Sequence, residues 1–410
     1  MALRKSHPGK AVLETEQSIF ELQRFADKGH CELEYDEDFA QDRSINVYGE
    51  TPYYSPSVTW NRIRWERHSF EFVTITLEQG RYRSPYSVLV GPNVEAVESF
   101  MIELSKFSNL IEGAVLVFND GCWQFDQELY QDIQGSTFDN LILPPGLIDH
   151  IREDISSWLS SREIYETHRI PWKRGMILVG PPGNGKTHLI KSLVNHFGLN
   201  TIYVRNFGSD DDDYARNIKL VFDRARACTP ALLILEDLDS LVNNKNRSYF
   251  LNELDGFALN TGILVVASAN DPAKLDPALV NRPSRFDRRY VFALPELPER
   301  SRYLSYFTSS LVGELQLTAE EADRVAAETE GFSFAYLKEL VLSSMMAWIS
   351  AGRNEAMAEQ MLRQVVPLRD QMSLGISLEE ENEPSIEDPT DPTFAVTARL
   401  RRKFVRPITR

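Results

Sequence analysis

The sequence predicts an α/β fold, in which a parallel sheet with helices on both faces carries a C-terminal helical lid and follows a mixed α+β domain. A glycine-rich loop at 180–187 lies directly between an apolar run and a helical run. Apolar runs of strand length then alternate with helical stretches from 201 to 268, which is typical of βαβ units. Residues 300–367 have a helical pattern. These patterns divide the chain into an N-terminal α+β domain at 1–135, an α/β core at 136–298, a helical lid at 299–367 and a tail at 368–410.

The composition is that of a globular protein with room for two or three domains. The chain has 410 residues, of which 42% are apolar and 25% are charged, and its net charge is −16. This acidic balance disfavours a nucleic-acid coat, which needs a surplus of Lys and Arg. Three cysteines without paired spacing favour a reducing compartment and no metal cluster. No apolar run approaches the roughly 20 residues of a membrane span, and no secretory signal is recognisable, so we expect a cytoplasmic protein.

The N-terminal domain is predicted to mix strands and helices. Residues 13–25 have a helical pattern, and 94–107 place apolar residues on one helical face. Alternating β-branched and aromatic residues at 70–77 predict a strand, and shorter strands are predicted at 87–90 and 114–118. The sequence of this domain contains no motif with a recognisable chemistry.

The glycine-rich loop is a complete phosphate-binding P-loop in the strand–loop–helix context that this motif needs. Its glycines let backbone N–H groups close on phosphate oxygens, and the N-terminus of the following helix adds partial positive charge. Lys186 supplies a positive charge for the β- and γ-phosphates, and Thr187 supplies a hydroxyl for Mg²⁺. We expect a nucleoside triphosphate to contact the loop and the residue after it: Gly180, Pro181, Pro182, Gly183, Asn184, Gly185, Lys186, Thr187 and His188.

Two further apolar runs end in polar residues that suit phosphate hydrolysis. The run 231–235 ends in Glu236 and Asp237, and the run 264–269 ends in Asn270. Hydrolysis needs a carboxylate for Mg²⁺ and a group that orients water, and the two carboxylates can supply both. Asn270 could hold an amide beside the γ-phosphate or the attacking water, or it could be a turn residue. Ligands of open α/β sheets bind at the carboxyl ends of the strands, so these side chains are expected beside the P-loop.

An arginine-rich segment with two prolines follows at 275–289. It contains Arg282 and Arg285 among its arginines. A guanidinium stabilises charge on a transferring phosphoryl group, so these two residues are candidates for that role. Ion pairing at the protein surface is the alternative for any one of them.

Residues 136–350 resemble the AAA ATPases in an ordered series of motifs. The P-loop matches Walker A of that family, 232–239 matches Walker B, and Asn270 matches sensor 1. Further matches are the second-region segment at 251–257, the arginine-finger positions of Arg282 and Arg285, the adenine-contacting lid motif at 331–337 with Ala335, and the opening segment at 138–141. The resemblance implies that ATP and Mg²⁺ are bound and ATP is hydrolysed. It also implies a homo-oligomeric ring, expected to be a hexamer, in which arginines from the neighbouring subunit complete each site.

The Walker B segment departs from the common pattern of the family. The usual Asp-Glu order is reversed, so the resemblance gives Glu236 the Mg²⁺ position and Asp237 the water-activating position. Because Asp is one methylene shorter than Glu, we expect slow basal turnover. The Glu-Asp order and the residues 170–175 resemble the AAA ATPases that assemble mitochondrial cytochrome bc complexes, although their membrane helix has no counterpart in this sequence.

Two other segments also depart from the family pattern. The segment at 205–214, where the family carries a central-pore aromatic, is short and acidic. Phe207 and Tyr214 are the candidates for an aromatic that contacts the substrate, and the aspartates are otherwise a solvated loop. One residue is inserted in the finger segment, which leaves the division of labour between Arg282 and Arg285 open.

The leading functional hypothesis is an ATP-driven enzyme that remodels or assembles a protein client in a chaperone-like way. Under this hypothesis the N-terminal domain at 1–135 selects the client or an adaptor protein. The alternative is a nucleotide-gated scaffold with low turnover, which the Glu-Asp order and the weak pore segment favour. The acidic balance disfavours a nucleic-acid motor, although the basic cluster at 399–406 could contact nucleic acid. The acidic, proline-containing stretch at 379–393 is predicted to be disordered. A metalloprotease is disfavoured because no His-Glu-x-x-His occurs in the sequence.

Overall fold

The computed structural model describes residues 2–15, 20–35, 43–48, 51–56, 58–79, 82–208, 213–255, 259–280, 282, 284–350 and 356–382. Some predictions fall outside these described residues and stay predictions: those for the aspartates of 209–212, for Gly256 and Phe257, for the acidic stretch beyond 382 and for the basic cluster at 399–406. The chain forms two compact units. The first unit comprises Met1–Gln131 and Asn200–Ala231, and the second comprises Asp132–Leu199 and Leu232–Arg410.

Strands and helices have the following bounds in the described residues. The strands are β1 (Ala11–Thr15), β2 (Glu32–Tyr35), β3 (Arg43–Tyr48), β4 (Thr51–Pro56), β5 (Val58–Trp65), β6 (His68–Gln79), β7 (Tyr82–Gly91), β8 (Val115–Asn119), β9 (Cys122–Asp126), β10 (Arg174–Val179), β11 (Asn200–Asn206), β12 (Ala231–Leu235), β13 (Ile263–Ala269) and β14 (Arg288–Val291). The helices are α1 (Ala2–Ser6), α2 (Leu22–Asp27), α3 (Val94–Ser108), α4 (Gln127–Gln134), α5 (Leu147–Ser160), α6 (Arg162–Thr167), α7 (Lys186–Phe197), α8 (Tyr214–Ala227), α9 (Leu238–Leu241), α10 (Arg247–Asp255), α11 (Pro277–Val280), α12 (Leu297–Ser309), α13 (Ala319–Glu328), α14 (Phe334–Ser350) and α15 (Met357–Asn382).

Five strands of the first unit form an antiparallel sheet in the order β1-β7-β6-β5-β2. One face of this sheet packs against α2 and α3, where Phe70, Phe72 and Phe100 are buried together. Asn93 caps α3, because its side-chain oxygen accepts a hydrogen bond from the Ala96 N–H at 2.8 Å. The structure confirms the strands and the helix predicted at 70–77, 87–90, 94–107 and 114–118.

The predicted helix at 13–25 is wrong over its first residues. Ala11–Thr15 is strand β1, paired with β7 in a register that runs from Ala11↔Gly91 to Thr15↔Ser87. Helix α2 spans only Leu22–Asp27. Alternate residues of β1 face opposite sides of the sheet, so Leu13 packs with the α2–α3 core and Val12 with Val88 on the other face. The partner strand, about 75 residues away, decides the conformation of this short apolar run.

The parallel sheet of the second unit confirms the predicted α/β core. Its strands have the order β14-β10-β13-β12. Strand β10 is parallel to β13, from Arg174↔Leu264 to Val179↔Ala269, and it is also parallel to β14. Every residue of β12 and β13 is buried, which explains why both strands are apolar runs without alternation. The register aligns the end of β10, where the P-loop begins, with the end of β13.

The helical lid is also confirmed. Helices α12 to α15 share a core of buried side chains that includes Leu304, Phe332 and Leu337. Helix α13 begins with a capping box: Thr318 Oγ1 accepts from the Glu321 N–H at 3.3 Å, and Glu321 Oε2 accepts from the Thr318 N–H at 2.9 Å. Helix α15 continues to Asn382, beyond the predicted end of the lid at 367, because Leu368 and Met372 pack into the same core. Residues 379–382, for which the sequence predicts disorder, belong to this helix. Within the described ranges, no helix combines the length and the apolar composition that crossing a bilayer requires.

Candidate active site

The P-loop connects the end of β10 to the start of α7. The Gly180 N–H donates to the Ala269 carbonyl at 3.2 Å, which fastens the loop to the neighbouring strand. A Cβ atom on Gly180 would lie 2.0 Å from the Phe292 carbonyl oxygen, and one on Gly183 would lie 2.6 Å from the Ala335 Cβ. Both glycines also have positive φ, at 151° and 77°. Space and backbone conformation therefore both require glycine at these two positions.

Lys186 is folded over the loop that it follows. The residue is only 6% exposed, and its Nζ donates to the carbonyl oxygens of Gly180 at 2.6 Å and Pro181 at 2.9 Å. Burial lowers the pKa of the Lys186 ammonium from 10.5 to about 8, although nearby carboxylates act in the opposite direction. Phosphate oxygens would form stronger, charge-assisted hydrogen bonds to this ammonium than the loop carbonyls do.

Nucleotide binding is therefore expected to be coupled to proton uptake. The pKa of Lys186 is lowered to about 8 in the folded protein, so this side chain is deprotonated in about half of the molecules at pH 8. Bound phosphates favour the charged form and restore protonation, so binding should take up about 0.5 proton per site at pH 8 and about 0.1 at pH 7. Calorimetry in buffers of different ionisation enthalpy measures this uptake. Equal proton uptake at both pH values, after correction for the nucleotide's own titration, would contradict the assignment of Lys186 as a phosphate-binding group with a lowered pKa.

The carboxylates after β12 have separate partners. Thr187 Oγ1 donates to Glu236 Oε1 at 2.6 Å, and Asn270 Nδ2 donates to Asp237 Oδ1 at 2.7 Å. Glu236 is partly buried, whereas Asp237 is exposed to solvent. The structure thus brings together side chains from the ends of β12 and β13 and from the start of α7. This proximity is what the sequence predicts from the positions of these residues at strand ends.

Backbone hydrogen bonds hold the polar residues at these strand ends. Asp237 has a left-handed φ of 50° and precedes α9, and its N–H donates to Ser268 Oγ at 3.1 Å. Asp239 Oδ2 accepts from the Asp271 N–H at 3.2 Å. Ser268 is a residue of the site that is not among those predicted from the sequence. A signal for it exists, because Ser268 is the one hydroxyl residue in the otherwise apolar strand β13, two residues before Asn270.

The opening segment at 138–141 and the lid motif both contact the P-loop region. His188 Nε2 lies 2.7 Å from Asn140 Oδ1, which also accepts from the Thr137 N–H at 2.9 Å. Burial lowers the pKa of the His188 imidazole, so the neutral ring is favoured. At the lid, the Ala335 N–H donates to the Gly183 carbonyl at 3.1 Å. His188 and Ala335, both predicted to contact nucleotide, therefore lie against the loop or directly after it.

The residues present suit a magnesium nucleotide. The Thr187 hydroxyl and the Glu236 carboxylate are oxygen donors of the kind that Mg²⁺ prefers. The buried Asn184 has a side-chain oxygen that lacks a hydrogen-bond partner among the described residues. Among the residues that the structure describes, no group of three or more His, Cys, Asp or Glu side chains could hold a metal ion by itself. The donor set therefore fits an ion that also takes ligands from phosphate and water.

The two predicted finger arginines differ sharply in exposure. The Arg282 side chain is 65% exposed and lies 3.7 Å from Asp255, whereas the Arg285 side chain is 8% exposed. Arg285 donates to the Ala278 carbonyl, and its Nε lies 3.6 Å from Asp255. Ser284 Oγ donates to the same carboxylate at 3.1 Å. Both arginines therefore lie near Asp255, but Arg285 is buried and hydrogen-bonded to Ala278, while Arg282 is exposed to solvent.

The aromatic side chains of the segment at 205–214 are buried. Phe207 is 0% exposed and Tyr214 is 7% exposed. Asn217 Nδ2 donates to the Phe207 carbonyl at 2.8 Å, which fixes the backbone at that point. The interpretation of Phe207 or Tyr214 as a substrate-contacting aromatic is therefore contradicted, because a buried ring presents no surface to a client.

The fold and the site together define a P-loop nucleotide-binding domain. Residues 176–294 match the family model described as ATPase family associated with various cellular activities, or AAA. This match, together with the geometry of the site, identifies residues 176–294 as an AAA-type ATPase domain. The matched residues include the P-loop, the two carboxylates after β12, Asn270 and both predicted finger arginines.

Several curated proteins are similar to the ATPase part of the chain. An ATP-dependent zinc metalloprotease FtsH of Pirellula staleyi is 33% identical over 250 residues, which cover 55% of this chain and 34% of that protein. A second FtsH, of Acidothermus cellulolyticus, is 32% identical over 227 residues, covering 50% and 33%. A proteasome-activating nucleotidase of Thermococcus onnurineus is 29% identical over 236 residues, covering 53% and 58%. The chain spans about a third of the length of the two FtsH proteins. The resemblance to cytochrome bc assembly ATPases stays a prediction.

Proposed function

We propose that this chain binds ATP with Mg²⁺, hydrolyses it, and uses the energy to remodel or assemble a protein client as a hexameric ring. One observation carries the proposal. Two hydrogen-bonded pairs, Thr187–Glu236 at 2.6 Å and Asn270–Asp237 at 2.7 Å, lie beside a buried lysine in a P-loop. A metal ligand pair and a water-orienting pair are the two parts that phosphate hydrolysis needs beyond a phosphate cradle.

Binding is assigned to the P-loop, its lysine and the metal pair. The backbone N–H groups of the loop and the Lys186 ammonium would hold the phosphates, with the ammonium moving from the loop carbonyls to phosphate oxygens. Thr187 and Glu236 would hold Mg²⁺. The ion, when bound, neutralises charge that develops on the phosphate oxygens. His188 and Ala335 would line the nucleotide site beyond the phosphates.

Hydrolysis is assigned to Asp237 and Asn270. The exposed Asp237 carboxylate would accept a proton from the attacking water, and its hydrogen bond from Asn270 fixes one carboxylate oxygen and leaves the other for water. The left-handed backbone at Asp237 and its bond to Ser268 hold the carboxylate at the strand end. Because Asp is shorter than Glu, its reach to water is smaller, and this supports slow basal turnover.

A neighbouring subunit would supply an arginine to each site. The surface position and 65% exposure of Arg282 support this residue for contact with a neighbour's phosphate. Arg285, the second candidate, is buried against Asp255 and Ala278 and would have to leave both partners to act there. We therefore propose Arg282 as the arginine that acts between subunits, with Arg285 supporting the segment from within.

A nucleotide-gated scaffold is the second candidate function. The burial of Phe207 and Tyr214 favours it over a machine that threads extended chains, because no aromatic of the described segment is offered to a substrate. In this reading ATP orders the ring and little ATP is consumed. A nucleic-acid motor has less support, since the net charge is −16. We also propose that the protein acts in the cytoplasm.

Solution mass and turnover, measured together, test the proposal. With saturating ATP and Mg²⁺, sedimentation is expected to detect a particle about six times the chain mass of 46.9 kDa. Phosphate release per chain is expected to rise with protein concentration over the range in which this particle forms. A ring without phosphate release would support the scaffold instead. A monomer that hydrolyses ATP at every concentration would contradict the shared site.

A further inference from the structure

The segment between the P-loop helix and the acidic strand contacts the N-terminal part of the chain. Strand β11 pairs in parallel with β8, in the register Ile202↔Leu116, Tyr203↔Val117 and Val204↔Phe118. Strand β8 in turn pairs antiparallel with β9. A strand of the predicted α/β core therefore shares its hydrogen bonds with a hairpin that precedes the core in sequence. The division of the chain into compact units agrees with this pairing, because Asn200–Ala231 belongs to the same unit as Met1–Gln131.

The turn of the β8–β9 hairpin lies against the segment that carries Phe207. The Asp120 N–H donates to the Asn206 carbonyl at 3.1 Å. A Cβ on Gly208 would lie 3.0 Å from Asp120 Oδ1, and one on Gly121 would lie 3.5 Å from the Asn217 side chain. Asp120 and Gly121 both have positive φ, as a tight two-residue hairpin turn requires. Close contact on both sides leaves little freedom for movement between the hairpin and this segment.

A buried arginine forms the second attachment. Arg224 of α8 is buried, and its guanidinium donates to the Ser108 carbonyl and to Asn109 Oδ1, each at 2.6 Å. Ser108 ends α3, so the cation also meets the partial negative charge of a helix C-terminus. Asn200 adds a third link, because it accepts from the Ile111 N–H at 2.8 Å and donates to the Cys228 carbonyl at 2.6 Å.

We propose that β11 and α8 are a lever that carries nucleotide-dependent movement to α3 and the β8–β9 hairpin, so that the N-terminal part is the moving output of the ATPase. The inference rests on the proposed function. Only residues 198 and 199 separate α7 from β11, and only residues 228–230 separate α8 from β12. The lever is thus joined at one end to α7, which contains Thr187, and at the other to β12, which Glu236 follows directly. A displacement of those ends must move the packed and hydrogen-bonded partners of the lever as one body.

The burial of Phe207 is consistent with this role of the lever. Phe207 follows β11 directly and is fully buried, and its carbonyl is held by Asn217 of α8. Its neighbours Asn206 and Gly208 are the residues that approach Asp120 of the hairpin turn. The work done on a client is therefore expected at the N-terminal part and not at Phe207 or Tyr214.

Hydrogen exchange of the full chain tests the lever. Peptides covering 94–126 are followed without nucleotide, with ADP and with a non-hydrolysable ATP analogue. In the wild type, exchange in these peptides should change by roughly threefold or more between the ADP and ATP-analogue states. Arg224→Met should remove most of this response in the peptides at the end of α3, where its two acceptors lie, while ATP turnover stays within about twofold of wild type. Arg216→Met, which changes an exposed arginine of the same helix, should keep both the response and the turnover.

A milder variant covers the case in which Arg224→Met does not fold. Asn109→Ala removes one acceptor of the same guanidinium from the opposite side of the interface and should reduce the exchange response by about half. Wild-type exchange in 94–126 that is identical in all three states, alongside measurable ATP turnover, overturns the lever and leaves the proposed ATPase intact. A full response that persists in both Arg224→Met and Asn109→Ala overturns it as well. Absence of wild-type turnover would instead count against the proposed function.

Discussion

Asp237→Asn is expected to lower kcat for ATP hydrolysis by about 10²- to 10⁴-fold, the usual effect of removing a general base. The amide keeps the shape of the side chain and can still accept the hydrogen bond from Asn270. It cannot take a proton from water. Nucleotide affinity should stay within about threefold of wild type, because Asp237 is not assigned to the phosphates or to Mg²⁺. Single-turnover phosphate release and binding of a fluorescent nucleotide measure the two quantities separately.

Asp239→Asn is the matched control for this substitution. Asp239 lies two residues further along the same segment and accepts from the Asp271 N–H, which an amide oxygen can also do. Its loss of charge is expected to change kcat by less than about tenfold. If Asp237→Asn hydrolyses ATP at the wild-type rate, the assignment of Asp237 is wrong. Equal losses in both variants would point to the charge of the whole segment and not to one proton acceptor.

Arg282→Ala is expected to lower kcat by about 10³-fold in the assembled protein, within the range known for arginines supplied in trans. The same variant should be rescued by mixing with Lys186→Ala, which has an intact Arg282 but a disabled P-loop. In a head-to-tail ring with random mixing, about a quarter of the sites combine an intact P-loop with an intact neighbouring arginine. Turnover of the mixture should therefore approach a quarter of the wild-type rate, although each variant alone is nearly inactive.

Arg285→Ala is the control that separates the two arginines. Removal of its buried guanidinium leaves the Ala278 carbonyl and Asp255 without that partner, so the melting temperature should fall by about 5 °C. Arg282→Ala should melt within about 1 °C of wild type, because its side chain is exposed. A mixture of Arg282→Ala and Lys186→Ala that remains inactive, although both variants form rings, would rule out the role of Arg282 between subunits.

The arrangement of the nucleotide site could be predicted from the sequence because it follows from strand ends. Apolar runs before Gly180, Glu236 and Asn270 predict buried parallel strands, and the carboxyl ends of parallel strands meet at one edge. The observed register aligns Val179 with Ala269 and supports that logic. Residue type then indicates the chemistry. Two carboxylates and an amide directly after buried apolar strands, together with the Thr187 hydroxyl after the P-loop, are the groups that a magnesium nucleotide site needs.

The roles of single side chains near the site could not be predicted in the same way. Arg282 and Arg285 belong to the same basic segment, yet one is exposed and the other is buried beside Asp255. Their difference depends on which side chain is buried beside Asp255 at the end of α10, which local spacing does not encode. In the sequence, Phe207 resembles an aromatic residue of a loop. Only the folded structure shows that its ring is buried and that Asn217 holds its carbonyl.

The link between the N-terminal part and β11 is the least predictable feature from sequence. Strand β8 has the pattern of any short buried strand, and its partner β11 lies more than 80 residues further along the chain. Pairing of such distant strands depends on the whole fold and not on local propensity. The same reason explains the wrong helix at 13–25, because β1 is a strand by virtue of its pairing with β7.

Steady-state release of phosphate by the purified full chain, beside Lys186→Ala, is the most direct test of the central claim. Wild type is expected to release phosphate slowly and only with Mg²⁺, and Lys186→Ala should lose at least about 100-fold of that rate, because its P-loop lacks the phosphate-binding cation. Lys191→Ala, on the same helix, should keep the wild-type rate. No release by wild type under conditions where it assembles, or equal release by wild type and Lys186→Ala, would contradict the account of this site as the centre of an ATPase.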